Sequence, residues 1–454
     1  MSQSVNIREI ILNLLEDMQQ HQTPCQAAIG TALSKYQYLD KKDRSMISRI
    51  TRGTIERRLY LDWVIGQFSS VKISRIKPLI LNILRMSVYQ LLFMDSIPAH
   101  AVCNEAVRLS GRRGFNGLKG YVNGVLRNID RRKDTISLPD KNKTPAAYLS
   151  VAYSVPEWMV LRWLAYDDFD TVQRMLAAFL EPSPVTVRIN TDKITVEDFW
   201  KKLAWSKTDG GLHAVRGHYV PYAAKLEAFD HLTALDIFKE GLCFVQDESS
   251  MLAGMLAGIR NGSTVIDLCA APGGKSMNAA LLGGHVDARD ISEAKIEKIS
   301  ENLKRTGIKN IRVQVRDASM FYAEDENSAD VVIADVPCSG LGILGKKPDI
   351  KYRISAADID ALTVLQREII ASGWRYVKPG GTLMYSTCTV SRAENEAQLQ
   401  WMTENFPLEP VDFYEQLPKG LKTETARKGY IQLMPGRHHC DVFFIARLRR
   451  KDTI

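Results

Sequence analysis

From about Ala234 to its end the chain repeats one device: a short β-branched run, an acidic or thiol side chain at its finish, and a helix-patterned stretch behind it. Thr264 to Leu268, His285 to Asp290, Ile311 to Arg316, Val331 to Asp335 and Thr382 to Ser386 are the strand candidates, with a late pair at Tyr430 to Met434 and Val442 to Leu448. Ser292 to Arg305 and Asp358 to Tyr376 carry helical spacing between them. Strands joined by helices pair in parallel with right-handed crossovers, so the alternation predicts a doubly wound α/β sheet with an antiparallel end. Ligands of such sheets lie outside the carboxyl ends of the strands. Asp267, Asp290, Asp317, Asp335 and Cys388 all fall at or just past those ends.

The run Ser263-Thr264-Val265-Ile266 leads into Asp267-Leu268-Cys269-Ala270-Ala271-Pro272-Gly273-Gly274-Lys275-Ser276 and then a helical stretch from Met277 to Leu282. This turn departs from Gly-x-Gly-x-x-Gly and lacks the Walker frame, so dinucleotide and triphosphate readings lose ground. Its small residues let the backbone approach a nucleotide-like cofactor closely, while Asp290, ending the next strand, suits ribose hydroxyls. Asp317 would stand near the base. Any one of these aspartates reads equally well as a helix cap; four at successive strand ends do not.

Two cysteines sit in loops after apolar runs: Cys338 in Asp335-Val336-Pro337-Cys338-Ser339-Gly340 and Cys388 in Ser386-Thr387-Cys388-Thr389. A thiol pair beside a cofactor turn points to covalent chemistry. Seven cysteines with no Cys-x-x-Cys pair fit reduced thiols better than a disulfide framework or a zinc site. Cys25, Cys103 and Cys243 read as apolar packing residues. His438-His439-Cys440-Asp441 has metal-type side chains but no second cluster at ligand spacing, so no metal is expected.

At 454 residues the chain is too long for one core, and two or three domains follow. The first residues lack a basic start followed by an apolar run, and no later run reaches membrane-spanning length, so a cytoplasmic location without a membrane partner is expected. Charge is uneven. Residues 1–140 hold 21 Lys and Arg against 12 Asp and Glu, while the remainder holds 39 against 40. The polyanion signal therefore belongs to the first third, where Lys41-Lys42, Arg57-Arg58, Arg112-Arg113 and Arg131-Arg132-Lys133 would gather along phosphates if they share a face; a solvated basic surface is the plain alternative.

That first third is helical in pattern, with Ile7, Ile10, Ile11, Leu14 and Leu15 at three- and four-residue spacing and a strongly apolar helix from Leu79 to Met94 at its centre. Residues 133 to 148 read as a polar linker. Beyond it, an aromatic helix from Trp158 to Leu164, with Trp158 in the core, and a strand from Val185 to Asn190 form a small α+β module. The expected domains are 1–140, 141–234 and 235–454.

Arg52-Gly53-Thr54, Ile83-Leu84-Arg85-Met86-Ser87-Val88-Tyr89-Gln90-Leu91-Leu92, His100-Ala101-Val102-Cys103-Asn104-Glu105-Ala106-Val107 and Tyr121-Val122-Asn123-Gly124-Val125-Leu126-Arg127 resemble the NusB-type helical RNA-binding domain. Packing alone accounts for Leu84, Val88 and Leu91, and less well for Arg85 and Arg127. The cofactor turn, Asp290-Ile291-Ser292, Arg316-Asp317-Ala318, the Cys338 and Cys388 loops, Gln246-Asp247-Glu248-Ser249-Ser250 and Lys347-Pro348-Asp349-Ile350-Lys351-Tyr352 resemble the RsmB/Sun family of RNA 5-methylcytosine methyltransferases. One departure is Val442, where the family usually carries glycine.

The resemblance implies a Rossmann-like methyltransferase domain behind a small α+β module and an all-α NusB-like domain. It implies S-adenosyl-L-methionine held by Cys269, Ala270, Ala271, Pro272, Gly273, Gly274, Lys275, Asp290, Asp317 and Asp335. It also implies 16S rRNA or a small-subunit assembly intermediate as partner, with no DNA. Cytosine C5 is a poor nucleophile until a thiolate adds at C6; by family correspondence Cys388 is that nucleophile, Cys338 assists product release and Asp335 bonds the cytosine N3/N4 edge. Lys275 would support the cofactor site electrostatically, or is a surface lysine at a helix start. The alternatives are the same chemistry on tRNA or large-subunit rRNA, or a non-catalytic RNA-binding protein of antitermination type.

Overall fold

The computed structural model describes residues 6–205, 212–229 and 231–452; Met1 to Val5, read above for a leader, lie outside the described residues. It divides into two compact units, one of Met1–Glu181 with Leu344–Arg353, the other of Pro182–Ile343 with Ile354–Ile454.

The second unit holds two sheets. Strands β1 (Val185–Ile189), β2 (His213–Arg216), β3 (Ala223–Glu227) and β4 (Cys243–Val245) form an antiparallel sheet in the order β2-β3-β1-β4, covering a core that includes Val187, Phe199 and Leu226. The larger sheet contains β5 (Thr264–Asp267), β6 (His285–Asp290), β7 (Ile311–Val315), β8 (Ala329–Asp335), β9 (Val377–Thr387), β10 (Leu408–Pro410), β11 (Tyr430–Leu433) and β12 (Phe443–Arg450). Its order is β10-β12-β9-β8-β5-β6-β7, with β11 also paired to β12. β5 to β9 run parallel, with the β-branched, inner strands β5 and β8 buried on both faces and the edge strand β7 partly exposed, while β12 pairs antiparallel with β9, β10 and β11. The chain winds outward from β5 through β6 and β7, then returns to β8 and β9 on the other side. The carboxyl ends of β5 and β8 therefore flank the topological switch point, where the loops diverge and leave a crevice.

The first unit is helical. Pro78–Phe93 is its centre, with every side chain from Ile80 to Gln90 buried, as an all-round apolar helix demands. Gly53 lies where a Cβ would come 2.0 Å from the Tyr89 ring, so any larger residue there would have to displace that ring. Arg85 is no RNA-facing residue: it is buried and gives a bidentate pair to Asp62, both contacts at 2.7 Å. Arg127 is exposed and donates to Asn123. Trp158 is half-buried, and Trp163 takes the fully buried place on the same helix.

The breaks expected at 140 and 234 do not coincide with the division into units. The segment read as a polar linker is pinned, because Trp63 Nε1 and Gln67 Nε2 both donate to the Ser137 carbonyl, at 2.7 and 3.0 Å. Helices Pro145–Tyr153, Glu157–Leu164 and Phe169–Ala178 consequently pack into the first unit, and the break falls between Glu181 and Pro182. The chain also leaves the second unit between Ile343 and Ile354 and lodges Leu344–Arg353 in the helical unit. There Lys351 Nζ donates to the Glu56 carbonyl at 2.8 Å, Tyr352 Oη to the Ser154 carbonyl at 3.1 Å, and Arg52 to the Gly345 carbonyl.

Candidate active site

The predicted residues gather at the carboxyl edge of the parallel strands. The turn after β5 is braced from below: Ser276 Oγ donates to Asp267 Oδ2 at 2.6 Å, and the Ala270 amide donates to the Arg289 carbonyl at 2.8 Å. Gly273 adopts φ +100°, a left-handed conformation that aims the following amides of the helix Gly274–Leu281 into the crevice. Asp290 is buried and accepts from the amides of Ala271 (3.0 Å) and Ile291 (2.8 Å), with Lys295 at 2.9 Å, so the end of β6 and the turn form one piece. Asp317 keeps to its own loop, accepting from the Ser319 amide and hydroxyl at 2.9 and 2.7 Å.

Lys275 is not a surface lysine. It is 12% exposed and donates to Asp335 Oδ2 at 2.6 Å, while Ser386 Oγ donates to Oδ1 at 2.9 Å. One carboxylate thus ties the cofactor turn, β8 and β9 together. Just beyond it the half-buried thiols meet, Cys338 Sγ 3.2 Å from Cys388 Sγ. The hydrogen bond to Cys388, reinforced by burial and by the carboxylate of Glu394, holds the Cys338 thiol well above its ordinary range, so Cys338 keeps its proton.

Glu394 was not among the sequence candidates. It is fully buried, accepting from the Ser339 amide (2.8 Å) and hydroxyl (2.6 Å) and from Gln366 Nε2 (3.2 Å), and Ser339 Oγ also meets Thr389 Oγ1 at 2.7 Å. The loops bearing the two cysteines are clamped through this carboxylate. Asn395, next along, accepts from Thr387 Oγ1 at 2.6 Å and donates to the Thr389 carbonyl at 3.0 Å. Val442, at the departure from the family pattern, is buried against Gly342 of the Cys338 loop.

Asp267 is fully buried, its Oδ1 has no partner, and burial pushes its carboxyl up to about 7 against the lowering effects of Ser276 and Lys275. A buried acceptor without a donor marks a place where a ligand donor arrives. That orphaned oxygen, the glycine cradle and the acidic set Asp267, Asp290 and Asp335 fit S-adenosylmethionine, whose methionine part carries an ammonium and a sulfonium. Cys269 and Ala271 are half-buried in the same turn, and burial raises the Cys269 thiol. His438 Nδ1 accepts from the Met434 amide at 2.8 Å and His439 stacks on His218 with ring centroids 4.2 Å apart, so these side chains have other work. Among the described residues no group of three His, Cys, Asp or Glu side chains is arranged to hold a metal, and no helix is long and apolar enough to cross a membrane.

Three family models match the chain: 16S rRNA methyltransferase RsmB/F over residues 254–449, the NusB family over 5–131, and the ferredoxin-like domain of RsmF/B-like methyltransferases over 155–231. The chain is similar to the probable ribosomal RNA small subunit methyltransferase B of Bacillus subtilis (strain 168), 31% identical over 98% of this chain and 99% of that one. It is 30% identical to ribosomal RNA small subunit methyltransferase B of Cronobacter sakazakii (strain ATCC BAA-894), over 99% of this chain and 100% of its relative. The crystal structure of PH0851 superposes with a TM-score of 0.79 at 26% identity, covering 99% of this chain and 100% of the other. With nearly its whole length matched in sequence and fold, and with a turn built for S-adenosylmethionine, the chain belongs to the 16S rRNA methyltransferase RsmB/F family.

Proposed function

We propose that this methyltransferase forms 5-methylcytosine in 16S rRNA, in the cytoplasm and before the small subunit is complete, with Cys388 as nucleophile. The observation that carries the reading is the pair of thiols 3.2 Å apart at the ends of adjacent parallel strands, beside the switch-point crevice. The turn Cys269 to Lys275, with Asp290 and Asp317, would hold S-adenosylmethionine, which when bound would supply an electrophilic methyl group.

Cys388 bonds to C6 of the cytosine and makes C5 an enamine carbon able to take that methyl. The nucleophile is the thiolate, so the Cys388 proton leaves before or during attack. Asp335, oriented by Lys275 and Ser386, receives the N3/N4 edge of the base and favours charge build-up there. Cys338, held protonated at rest by its hydrogen bond to Cys388 3.2 Å away, gives up that proton to water once Cys388 is bound to the base; its thiolate then takes the C5 proton, the C5–H electron pair forms the C5–C6 double bond, and the C6–S electron pair returns to Cys388. Glu394 fixes the loop that carries Cys338. The basic helical unit docks the RNA.

The deciding experiment maps 5-methylcytosine in rRNA from cells lacking the protein and from cells complemented with it or with Cys388→Ala. Restoration at one 16S position by the wild type alone is expected. Restoration by Cys388→Ala removes the nucleophile assignment, and a mark on tRNA or large-subunit rRNA removes the substrate assignment.

A further inference from the structure

Within the first unit, the helices Ile7–His21, Lys41–Glu56, Arg58–Phe68 and Pro78–Phe93 and the segment Leu344–Arg353 enclose a cavity of about 210 Å³. Gln19, Thr54, Arg58, Asn82, Arg85 and Tyr352 give it a polar wall. Most of that wall is self-satisfied. Asn82 Nδ2 donates to Gln19 Oε1 at 2.9 Å, Arg85 donates to Asn82 Oδ1 at 3.2 Å, and Asp62 takes the remaining charge of Arg85. At the rim, Arg353 is paired with Asp349 at 3.1 Å.

Arg58 and Thr54 are not satisfied. The Arg58 guanidinium lies against the Tyr352 ring, 4.9 Å from its centroid, and its Nε is buried with no acceptor; among the described residues no carboxylate pairs with it. The Thr54 side chain is 1% exposed, and its hydroxyl likewise has no partner. Burial, and next the nearby Arg85, pull the Arg58 guanidinium below its usual range, and Asp62, whose two oxygens are both engaged by Arg85, offsets this only in part. Orphaned buried donors and an uncompensated cation are costly to a fold. They are tolerated where an acceptor arrives from outside.

We propose that this cavity receives a phosphate group of the RNA. The planar guanidinium fork matches two phosphate oxygens, the Thr54 hydroxyl offers a further donor, and with Arg85 and Arg353 already neutralised the wall carries one unbalanced positive charge. The assignment rests on the proposed RNA substrate, and it deepens that reading by naming a phosphate seat in the helical unit, away from the strand-end chemistry. RNA is favoured over a free phosphate because the first 140 residues carry 21 basic against 12 acidic side chains, a surface that gathers a polyanion around the seat.

The test measures affinity of the full chain for two unrelated single-stranded RNAs across a salt series, with wild type, Arg58→Gln and Thr54→Val, alongside melting temperatures with and without inorganic phosphate. Arg58→Gln is expected to weaken both RNAs about tenfold and to lower the log-log salt slope by roughly 0.7, one phosphate contact. Thr54→Val, nearly isosteric, is expected to weaken both RNAs with the slope unchanged. The melting temperature of Arg58→Gln is expected to stay close to that of the wild type, because relief of a buried cation offsets the lost contact with the Tyr352 ring; a marked fall would indicate a structural role and overturn the proposal. A wild-type slope that Arg58→Gln leaves intact overturns it while leaving RNA binding standing, and if inorganic phosphate then raises the wild-type melting temperature, the seat belongs to a free anion. A wild type that binds neither RNA overturns both readings.

Discussion

Replacing one sulfur with hydrogen at position 388 removes the atom that bonds to C6 and touches nothing that holds adenosine. Cys388→Ala is therefore expected to abolish methyl incorporation while leaving S-adenosylmethionine affinity within about twofold, as calorimetric titration would read it; the rate falls because addition at C6 is what activates C5. Cys338→Ala should instead permit addition and methylation but stall release, leaving a protein–RNA adduct that survives a denaturing gel. Asp267 allows a prediction in pH. Its carboxyl is raised from about 3.8 to about 7 by burial, so the folded state holds a proton that the unfolded state has lost, and stability declines as pH climbs through that window. At about 1.4 kcal/mol per unit the whole effect is a few kcal/mol. Melting temperatures of wild type and Asp267→Asn from pH 4 to 8 should diverge, with only the wild type losing ground. The strand-end aspartates and both thiols were legible from position alone, because chain order tells where a strand stops. Lys275 was read as part of the cofactor turn, but its pairing with Asp335 was not, since a lysine at a helix start looks solvated until its partner across the sheet is known. Glu394 was hidden for the same reason: Arg392-Ala393-Glu394-Asn395-Glu396 reads as a polar surface turn.

The loops that follow β8 and β9 depend on the carboxylate between them. Glu394→Ala would leave the buried Ser339 amide without its acceptor, at about 1–3 kcal/mol where water does not replace it, and would reduce the Ser339 hydroxyl to Thr389 and Gln366 Nε2 to the Pro337 carbonyl. Chemical denaturation should register a loss of at least about 2 kcal/mol. The methyl-transfer rate should fall with it, and Glu394→Gln, which keeps one acceptor oxygen, should recover part of both. Parallel strands β5 to β9 were readable because β5, β8 and β9 carry apolar runs closed by a punctuating residue, and β6 and β7 fall in the alternation with helices between them. β2, β4 and β10, of three or four residues, carry too little pattern to distinguish from loops, and they are held by neighbours that sequence periodicity does not reveal. β9 starts at Val377, five residues before the expected Thr382, because Pro379, Gly380 and Gly381 look like a turn and yet lie within the strand.

At the scale of the molecule, charge and chemistry are segregated. Removing residues 1–181 and bridging Ile343 to Ile354 with a short polar linker should weaken RNA binding and flatten its salt dependence, each lost phosphate contact taking roughly 0.7 to 0.9 from the log-log slope. A comparison of slopes at constant temperature checks this, and identical slopes would make the basic surface incidental. The break at Glu181 and the lodging of Leu344–Arg353 were illegible because nothing local distinguishes a loop that stays home from one that packs elsewhere.

That lodged decapeptide makes the gene hard to split. A clone ending at Glu181 would express a helical bundle missing the strip that carries Lys351 and Tyr352, and a clone starting at Pro182 would release the same strip, with its buried lysine and aromatic ring, into water. Recombination that exchanged only the leading coding region between distant relatives would import a cleft shaped for someone else's peptide. The front and back of this polypeptide are thus obliged to be inherited together, although each has its own core.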